Sequence, residues 1–189
     1  GHVMPTGEAL ISGSYLNELL MRLLARDDPH ASLFDHIALA VQLLAEKSDA
    51  QQVILRAFEL LLLRDVGLLP DHAQEANTWA PLDPAVLYVL TPESGLHEAH
   101  GDDAHPLSGE QWLGLQAAMD GPAPFVTTLR ACAGALQALR PQLRHLLHYH
   151  CGVRVFKTRQ LMLDVQAMTR PRSTEASEPG EPATPNPEP

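Results

Sequence analysis

Two groups of histidines are the first residues in this sequence that could take part in chemistry. Histidine, cysteine and carboxylate side chains are the usual protein ligands of transition metals. The groups are His97, His100 and His105 around Asp102-Asp103, and His145, His148 and His150 beside Cys151. The first group falls in a polar stretch without a regular scaffold, and in the second only His145 and His148 share a helix face. We interpret both as surface histidines, with a metal-dependent helical hydrolase or sensor as the alternative.

The sequence contains none of the local motifs that indicate catalysis. It has no nucleophile elbow, no phosphate-binding loop and no zinc-binding H-E-x-x-H. The pair Asp27-Asp28 precedes a proline and is typical of the acidic end of a helix. We therefore predict that the chain is not an enzyme and that it uses no cofactor and no metal.

Charge is distributed unevenly along the chain, whose net charge is −10. Residues 1–129 hold 5 Lys and Arg against 18 Asp and Glu, whereas residues 130–170 hold 7 basic residues against one acidic residue. A basic segment of this kind can bind an anionic partner, either DNA phosphates or an acidic peptide. The alternative is a solvated face that balances the acidic half. The candidate contacts are Arg130, Arg140, Arg144, Arg154, Lys157 and Arg159.

The element that must position these residues is the apolar stretch from Leu55 to Pro70. Its leucines and Phe58 cover most of a helix circumference, which indicates a helix buried on several sides. Gly67 supplies the backbone freedom that a helix end needs. Arg56 is a cation on this apolar helix, and its simplest interpretation is a pair with Glu59 or an ordinary surface side chain.

Three more helices follow from periodicity and capping residues. We predict a first helix from an N-cap at Ser14 to about Arg26, and a second opened by Ser32 and Asp35. Asp49 with Gln52 indicates the start of the central helix, and Ser108 with Gln111 the start of another, which ends at Gly121-Pro122. The inward residues expected for the second helix are Leu33, Phe34, Ile37, Val41 and Leu44.

The remaining segments complete a mainly α, bundle-like domain. Five prolines between Pro70 and Pro106 favour an irregular region with a small hairpin around residues 86–98. A long helix from Pro124 to His150 is expected to kink at Pro141 and to end before Gly152. Thr158 is expected to cap a last helix through Met168, whose amide donors suit an anion between Lys157 and Arg159. We divide the chain into a linker over residues 1–13, the helical domain over 14–169 and a disordered Pro/Glu-rich tail over 170–189.

Composition argues against a membrane or secreted class. No apolar run approaches the ~18 residues that span a bilayer, and the N-terminus has no signal peptide. The two cysteines, Cys132 and Cys151, form no C-x-x-C motif. They fit a reducing cytoplasm and exclude a zinc module built on thiolates.

Four short motifs, in order along the chain, resemble the helical domain of the RecO family of DNA repair proteins. The resemblance covers residues 12–168. The motifs are Ser12–Leu20 (S-G-S-Y-L-N-E-L-L) with Asp28-Pro29-His30 and Leu33-Phe34; Leu55-Arg56 with Phe58-Glu59 and Val66-Gly67; Leu107-Ser108-Gly109; and Gly152 with Lys157-Thr158-Arg159 and Leu161.

The resemblance implies a recombination mediator that anneals DNA strands, displaces single-strand-binding protein and, with RecR, helps to load RecA. Its helical domain would receive the acidic, Phe-ending tail of single-strand-binding protein, and the matching positions are Arg56, Phe58 and Glu59. The resemblance also implies a cytoplasmic bacterial protein that is associated with the nucleoid.

Two departures from the family pattern limit this expectation. RecO proteins carry an N-terminal OB fold that binds single strands, and Gly1–Gly13 is too short to form one. Since the chain begins with Gly1, we expect a fragment or a truncated homologue, with weak and salt-dependent DNA binding. Some family members hold zinc on cysteines after the central helix, but residues 71–84 contain no cysteine. A purely structural domain that has lost its DNA function is a further alternative.

Overall fold

The computed structural model describes residues 7–24, 31–70, 74–153, 156–158, 160 and 161. In this part of the chain the architecture is mainly helical with one small antiparallel sheet, as predicted. The helices are α1 (Gly7–Leu23), α2 (Ala31–Glu46), α3 (Gln51–Asp65), α4 (Gly109–Asp120), α5 (Pro124–Ala133) and α6 (Leu136–Cys151). The strands are β1 (Leu87–Thr91), β2 (Gly95–Glu98) and β3 (Leu107–Ser108).

Helix α3 is the centre of the domain. Every residue from Ile54 to Leu63 is buried, and α3 packs against α1, α2, α5 and α6. The helix is followed by Gly67 in the left-handed conformation, with φ of 72°. Both the buried central helix and the glycine at its end are confirmed.

The sheet has the strand order β2-β1-β3 and is antiparallel throughout. The predicted hairpin is confirmed, whereas the third strand was not predicted. Gln142 of α6 joins the sheet to the bundle, because its Oε1 accepts from the Leu90 amide at 2.7 Å and its Nε2 donates to the His105 carbonyl at 2.7 Å. The capping box of Ser108 and Gln111 at the start of α4 is also confirmed.

The predicted starts of α1, α2 and α3 were wrong. Helices α1 and α2 begin before the serines that were expected to cap them, and α3 begins without a side-chain cap. Helix α1 begins at Gly7, so Ser14 lies on its exposed face. Helix α2 begins at Ala31, and the Ser32 hydroxyl donates to Asp65 at 3.3 Å. Helix α3 follows a 3-10 turn over Ser48–Ala50 and has no side-chain cap.

Two further expectations for the helices need correction. Phe34 and Val41 are exposed, because α2 turns His36 and Ala40 toward the core in their place. The long helix over Pro124–His150 is two helices, and the break falls at Gly134-Ala135. Glycine is less favourable than alanine inside a helix because its backbone loses more conformational freedom. Helix α6 continues through Pro141 to Cys151 and is followed by Gly152, with φ of 64°. The predicted last helix beyond Leu161 lies outside the described residues, as do residues 170–189.

Candidate functional site

Arg56 and Glu59 form a buried ion pair on α3. One turn separates them, and the Arg56 Nη2 atom lies 2.5 Å from Glu59 Oε1. The same oxygen accepts from the Tyr15 hydroxyl of α1 at 2.8 Å. Arg56 retains 7% of its surface exposed and Glu59 only 1%. The local pair that we considered from sequence is therefore present, and Tyr15 is a partner that the sequence did not indicate.

The pair is incompletely satisfied. Within the described residues, Arg56 Nε and Glu59 Oε2 are buried without a hydrogen-bond partner. Burial raises the pKa of the Glu59 carboxyl, and the charges of Arg56 and Arg144 oppose that rise. Burial and the Glu59 charge also raise the pKa of the Tyr15 hydroxyl. A carboxylate held this way depends on its arginines to stay ionised.

The charge of Arg144 thus acts on the Glu59 carboxyl from a second helix, α6. Its neighbour Arg140 lies one turn away on the same face of α6 and is exposed, whereas Arg144 is half-buried. Phe58 is completely buried and belongs to the core behind the pair. Cys132 of α5 is also buried there, and burial raises the pKa of its thiol to about 12, so it stays protonated at neutral pH.

The remaining basic candidates are Arg130, Arg154, Lys157 and Arg159. Arg130 of α5 and Lys157 are exposed. Arg154 and Arg159 lie outside the described residues. The amides expected to bind an external anion near Lys157 are already occupied, because Lys157 N and Thr158 N each donate to the Glu18 carboxylate at 3.0 Å. That expectation of available amide donors was wrong, since the anion comes from α1 of the same chain.

The Glu18 carboxylate is contacted by Thr158 and by Arg22 of its own helix. The Thr158 hydroxyl donates to its Oε2 at 2.9 Å, and Arg22 Nη2 lies 3.1 Å from its Oε1. Burial raises the pKa of Glu18, but the hydrogen bonds from Thr158, Lys157 and Arg22 outweigh it and lower the pKa below its usual range. The ring of Phe156 packs edge-on against Tyr15, with ring centroids 5.5 Å apart. Together these contacts fasten residues 156–158 to α1.

A second buried polar cluster was missed from sequence. His36 of α2 places its Nδ1 3.3 Å from Asp65 Oδ2 at the end of α3. Arg64 donates from Nε and Nη2 to Asp65 Oδ1 at 2.9 and 2.8 Å, and from Nη1 to the Met119 carbonyl. Burial lowers the pKa of His36 despite the nearby Asp65 charge. The adjacency of Arg64 and Asp65 was the only signal, and it did not identify His36.

Neither histidine group is gathered around a common point. Across the described ranges, no three His, Cys, Asp or Glu side chains come together as a metal-ligand set. His97 Nδ1 lies 3.3 Å from the Gly95 carbonyl in the hairpin, and His148 packs on Phe156. In the described part of the chain, no helix is both long and apolar enough to cross a bilayer.

Comparison with known proteins connects this fold to one family. Residues 4–160 match the family described as recombination protein O, C terminal. The DNA repair protein RecO of Polaromonas sp. strain JS666 is 61% identical over 169 residues, covering 89% of this chain and 68% of the relative. The RecO protein of Polaromonas naphthalenivorans is 59% identical with the same coverage, and that of Delftia acidovorans is 50% identical over 171 residues, covering 89% of this chain and 67% of the relative. The family match and these identities establish that the chain belongs to the RecO family of DNA repair proteins.

Proposed function

We propose that this chain acts in DNA repair as a non-enzymatic docking domain of a recombination mediator. Its principal ligand is the acidic, Phe-ending tail of single-strand-binding protein, and RecR and DNA are further partners that it brings together for strand annealing and RecA loading. Family membership supports the repair role. The docking site rests on the buried ion pair of Arg56 and Glu59 on α3. The charge of Arg144, on α6, also lowers the pKa of the Glu59 carboxyl.

The proposed site lies on α3 and α6. Arg140, which is exposed, and the half-buried Arg144 make the first contacts with the carboxylates of the tail. Arginine suits this role because its planar guanidinium can bind a carboxylate through two parallel hydrogen bonds. Arg56 joins them by exchanging Glu59 for a carboxylate of the tail. Phe58 supports Arg56 from the core and does not itself contact the ligand.

Glu59 has a specific part in this exchange. A buried carboxylate that loses its cation becomes neutral by taking up a proton, since isolated buried charge is very costly. The raised pKa of Glu59 lowers the cost of that step. Glu59 therefore holds Arg56 in place while the site is empty. When the tail arrives, Glu59 takes up a proton and releases Arg56.

DNA binding is the secondary activity that we propose. Arg130, Arg140, Arg144 and Lys157 would contact phosphates, together with Arg154 and Arg159 from outside the described residues. The acidic remainder of the chain opposes this contact, so affinity should be weak and should fall steeply with salt. A titration of a fluorescent single strand at increasing salt measures it. Affinity that does not change with salt would contradict phosphate contacts by these side chains.

The test of the docking site is binding of a fluorescent peptide ending in Asp-Asp-Ile-Pro-Phe, followed by anisotropy. We expect micromolar binding that weakens at least tenfold in Arg144→Ala and in Arg56→Ala, which corresponds to about 1.4 kcal/mol. The control Arg130→Ala removes an exposed arginine of α5, outside the proposed site, and should leave the affinity unchanged.

Loss of Arg56 leaves the Glu59 carboxylate buried without its cation. Peptide affinity is therefore also measured for the double variant Arg56→Ala/Glu59→Gln, in which the unpaired charge is removed. Thermal unfolding of each variant separates loss of binding from loss of fold. If the unmutated chain does not bind the peptide at low salt, the tail-docking proposal fails, and the domain has a structural role only.

A further inference from the structure

Trp79 is a large apolar side chain placed in solvent. It is 75% exposed, whereas Trp112, the other tryptophan, is completely buried. Burying a large apolar side chain is worth roughly 1.5–3 kcal/mol, so leaving an indole in water forgoes stability. A partner that covers the indole would recover part of that free energy.

The loop that carries Trp79 has a defined hydrogen-bonded structure. Gln74 and Pro81 form a β-bridge across it, and the Glu75 amide donates to the Ala80 carbonyl at 2.9 Å. The Trp79 amide donates to the Glu75 carbonyl at 2.8 Å. Trp79 has a φ of 59°, a left-handed conformation that bulky residues seldom adopt. Backbone strain of this kind persists only where the surrounding structure imposes it, and it concentrates at functional positions.

The loop is also anchored to the sheet. The Ala76 amide donates to the Leu96 carbonyl of β2 at 2.7 Å. Gly95 lies so close to Ala76 that a Cβ atom at position 95 would be 3.0 Å from the alanine Cβ. Backbone contacts on both sides of the loop therefore hold the segment that carries Trp79 against β2.

Beside the indole lies a recess of about 190 Å³, lined by Pro70, Gln74, Glu75, Ala76 and Trp79. Sites for small-molecule ligands usually have volumes of about 300–1,000 Å³, so this recess suits a single side chain. The lining is mainly apolar, and Gln74 and Glu75 are its polar residues. The Thr78 hydroxyl donates to Glu75 Oε2 at 2.6 Å and orients that carboxylate.

The chain segment that carries the recess is acidic, which favours a cationic ligand. Residues 65–129 contain ten Asp and Glu and no Lys or Arg. Glu93, in the turn between β1 and β2, adds a second exposed carboxylate on the hairpin to which the loop is anchored. A carboxylate attracts a cation by its negative charge, and the face of an indole ring attracts a cation by its quadrupole. A site that has both groups therefore favours a cationic ligand. Guanidinium stacks on aromatic faces and is weakly hydrated, which favours arginine over lysine.

We propose that the Trp79 recess is a docking site for an arginine side chain of a partner protein. The arginine stacks on the Trp79 indole, and its guanidinium pairs with Glu75. This site differs in charge and position from the basic docking site on α3 and α6, so the two can bind different partners at the same time. Its existence does not depend on the function proposed above.

The test follows the indole Nε1–H signal of Trp79 in the ¹⁵N-labelled chain during titration with the blocked peptide Gly-Gly-Arg-Gly-Gly. The matched probe replaces arginine with citrulline, which has nearly the same shape but no charge. We expect saturable shifts with a dissociation constant in about the millimolar range for the arginine peptide, and no saturable shift for the citrulline peptide. The signal of the buried Trp112 indole in the same spectrum should not move.

Two substitutions locate the interaction. Glu75→Gln should weaken arginine binding by about two- to fivefold, as expected for loss of a partly exposed ion pair, while the exposed control Glu110→Gln leaves it unchanged. Trp79→Ala, followed through the Ala76 and Leu96 amide signals, should abolish binding, and Phe34→Ala removes an equally exposed aromatic ring as its control. Equal shifts with the citrulline peptide, no shift with either peptide, or unchanged affinity in Glu75→Gln would each overturn the proposal.

Discussion

Glu59 links three helices through one carboxylate. Tyr15 donates to it from α1, Arg56 pairs with it along α3, and Arg144 lowers its pKa from α6. The spacing of Arg56 and Glu59 made their pair predictable, because residues three apart on a helix are neighbours. Tyr15 lies 44 residues away in sequence, and no local pattern could indicate it. At the residue scale, a buried charge of this kind makes the free energy of unfolding sensitive to each partner.

The first residue-scale prediction concerns loss of the cation. Arg56→Met should lower the free energy of unfolding by about 3–5 kcal/mol, because it leaves a carboxylate buried without its partner. The double variant Arg56→Met/Glu59→Gln should recover most of that loss, since a neutral amide oxygen can still accept from Tyr15. Urea denaturation measures both. A double variant as unstable as the single one would show that the unpaired charge is not the cause.

The second residue-scale prediction concerns protons. If a peptide carboxylate takes Arg56 from Glu59, the pKa of Glu59 rises further, and binding takes up a proton. Affinity for the acidic peptide should therefore increase as the pH falls toward about 5, above the range in which the carboxylates of the peptide themselves protonate. Calorimetry in buffers of different ionisation enthalpy measures the uptake directly. Glu59→Gln should abolish it, and uptake that persists in this variant would exclude Glu59 as the proton acceptor.

At the element scale, hydrophobic periodicity predicted which segments are helical, but polar residues misled the assignment of where helices begin. Ser108 and Gln111 cap α4 as expected. Ser14, in contrast, lies inside α1, and the Ser32 hydroxyl donates to Asp65 of another helix. The same residue types serve as caps or as tertiary contacts, and only the fold distinguishes these uses. The fastening of Lys157 and Thr158 by Glu18 was unpredictable for this reason.

The contact between Glu18 and residues 157–158 gives a pH-dependent prediction. Because the pKa of Glu18 is lowered from its ordinary value of 4.5, its contribution to stability is present above about pH 4.5 and is lost as the pH falls below it. Glu18→Gln should lower the free energy of unfolding by about 1–2 kcal/mol at pH 7. Urea denaturation at pH 7 and below pH 4.5 should show that this difference shrinks in acid. Glu98→Gln, at an exposed position on β2, serves as the control, and a difference independent of pH would contradict the role of the charge.

Two glycines of α4 offer a matched pair of substitutions. A Cβ at Gly109 would lie 2.1 Å from the Asp83 carbonyl oxygen, whereas one at Gly114 would meet nothing within 4 Å. Gly109→Ala should therefore destabilise the domain by at least about 1–3 kcal/mol, as overpacking does. Gly114→Ala should stabilise it by about 0.5–1 kcal/mol, because alanine favours the helical backbone. Thermal unfolding of both variants tests the packing of α4 on the loop before β1, and equal effects would contradict it.

At the scale of the whole molecule, charge separates two kinds of surface. Residues 65–129, which include the Trp79 recess, carry no basic residue, whereas residues 130–170 carry seven. This asymmetry could be predicted from sequence, as could the mainly helical class and the family. The contact of Tyr15 with Glu59 and the exposure of Trp79 could not, because both depend on how the helices and the irregular region pack. The two proposed sites thus differ in charge: the one on α3 and α6 is basic and would bind acidic ligands, and the Trp79 recess is acidic and would bind basic ones.

A charge exchange between chain and peptide tests the docking claim most directly. The chain and its Arg140→Glu variant are each titrated with the peptide ending in Asp-Asp-Ile-Pro-Phe and with one ending in Lys-Lys-Ile-Pro-Phe. Arg140 is suited to this exchange because it is exposed and one turn from Arg144. We predict that the acidic peptide binds the unmutated chain at least about tenfold more tightly than it binds Arg140→Glu. The basic peptide should bind Arg140→Glu more tightly than it binds the unmutated chain. If Arg130→Glu on α5 changes peptide selectivity as much as Arg140→Glu does, the acidic tail does not dock at the site on α3 and α6.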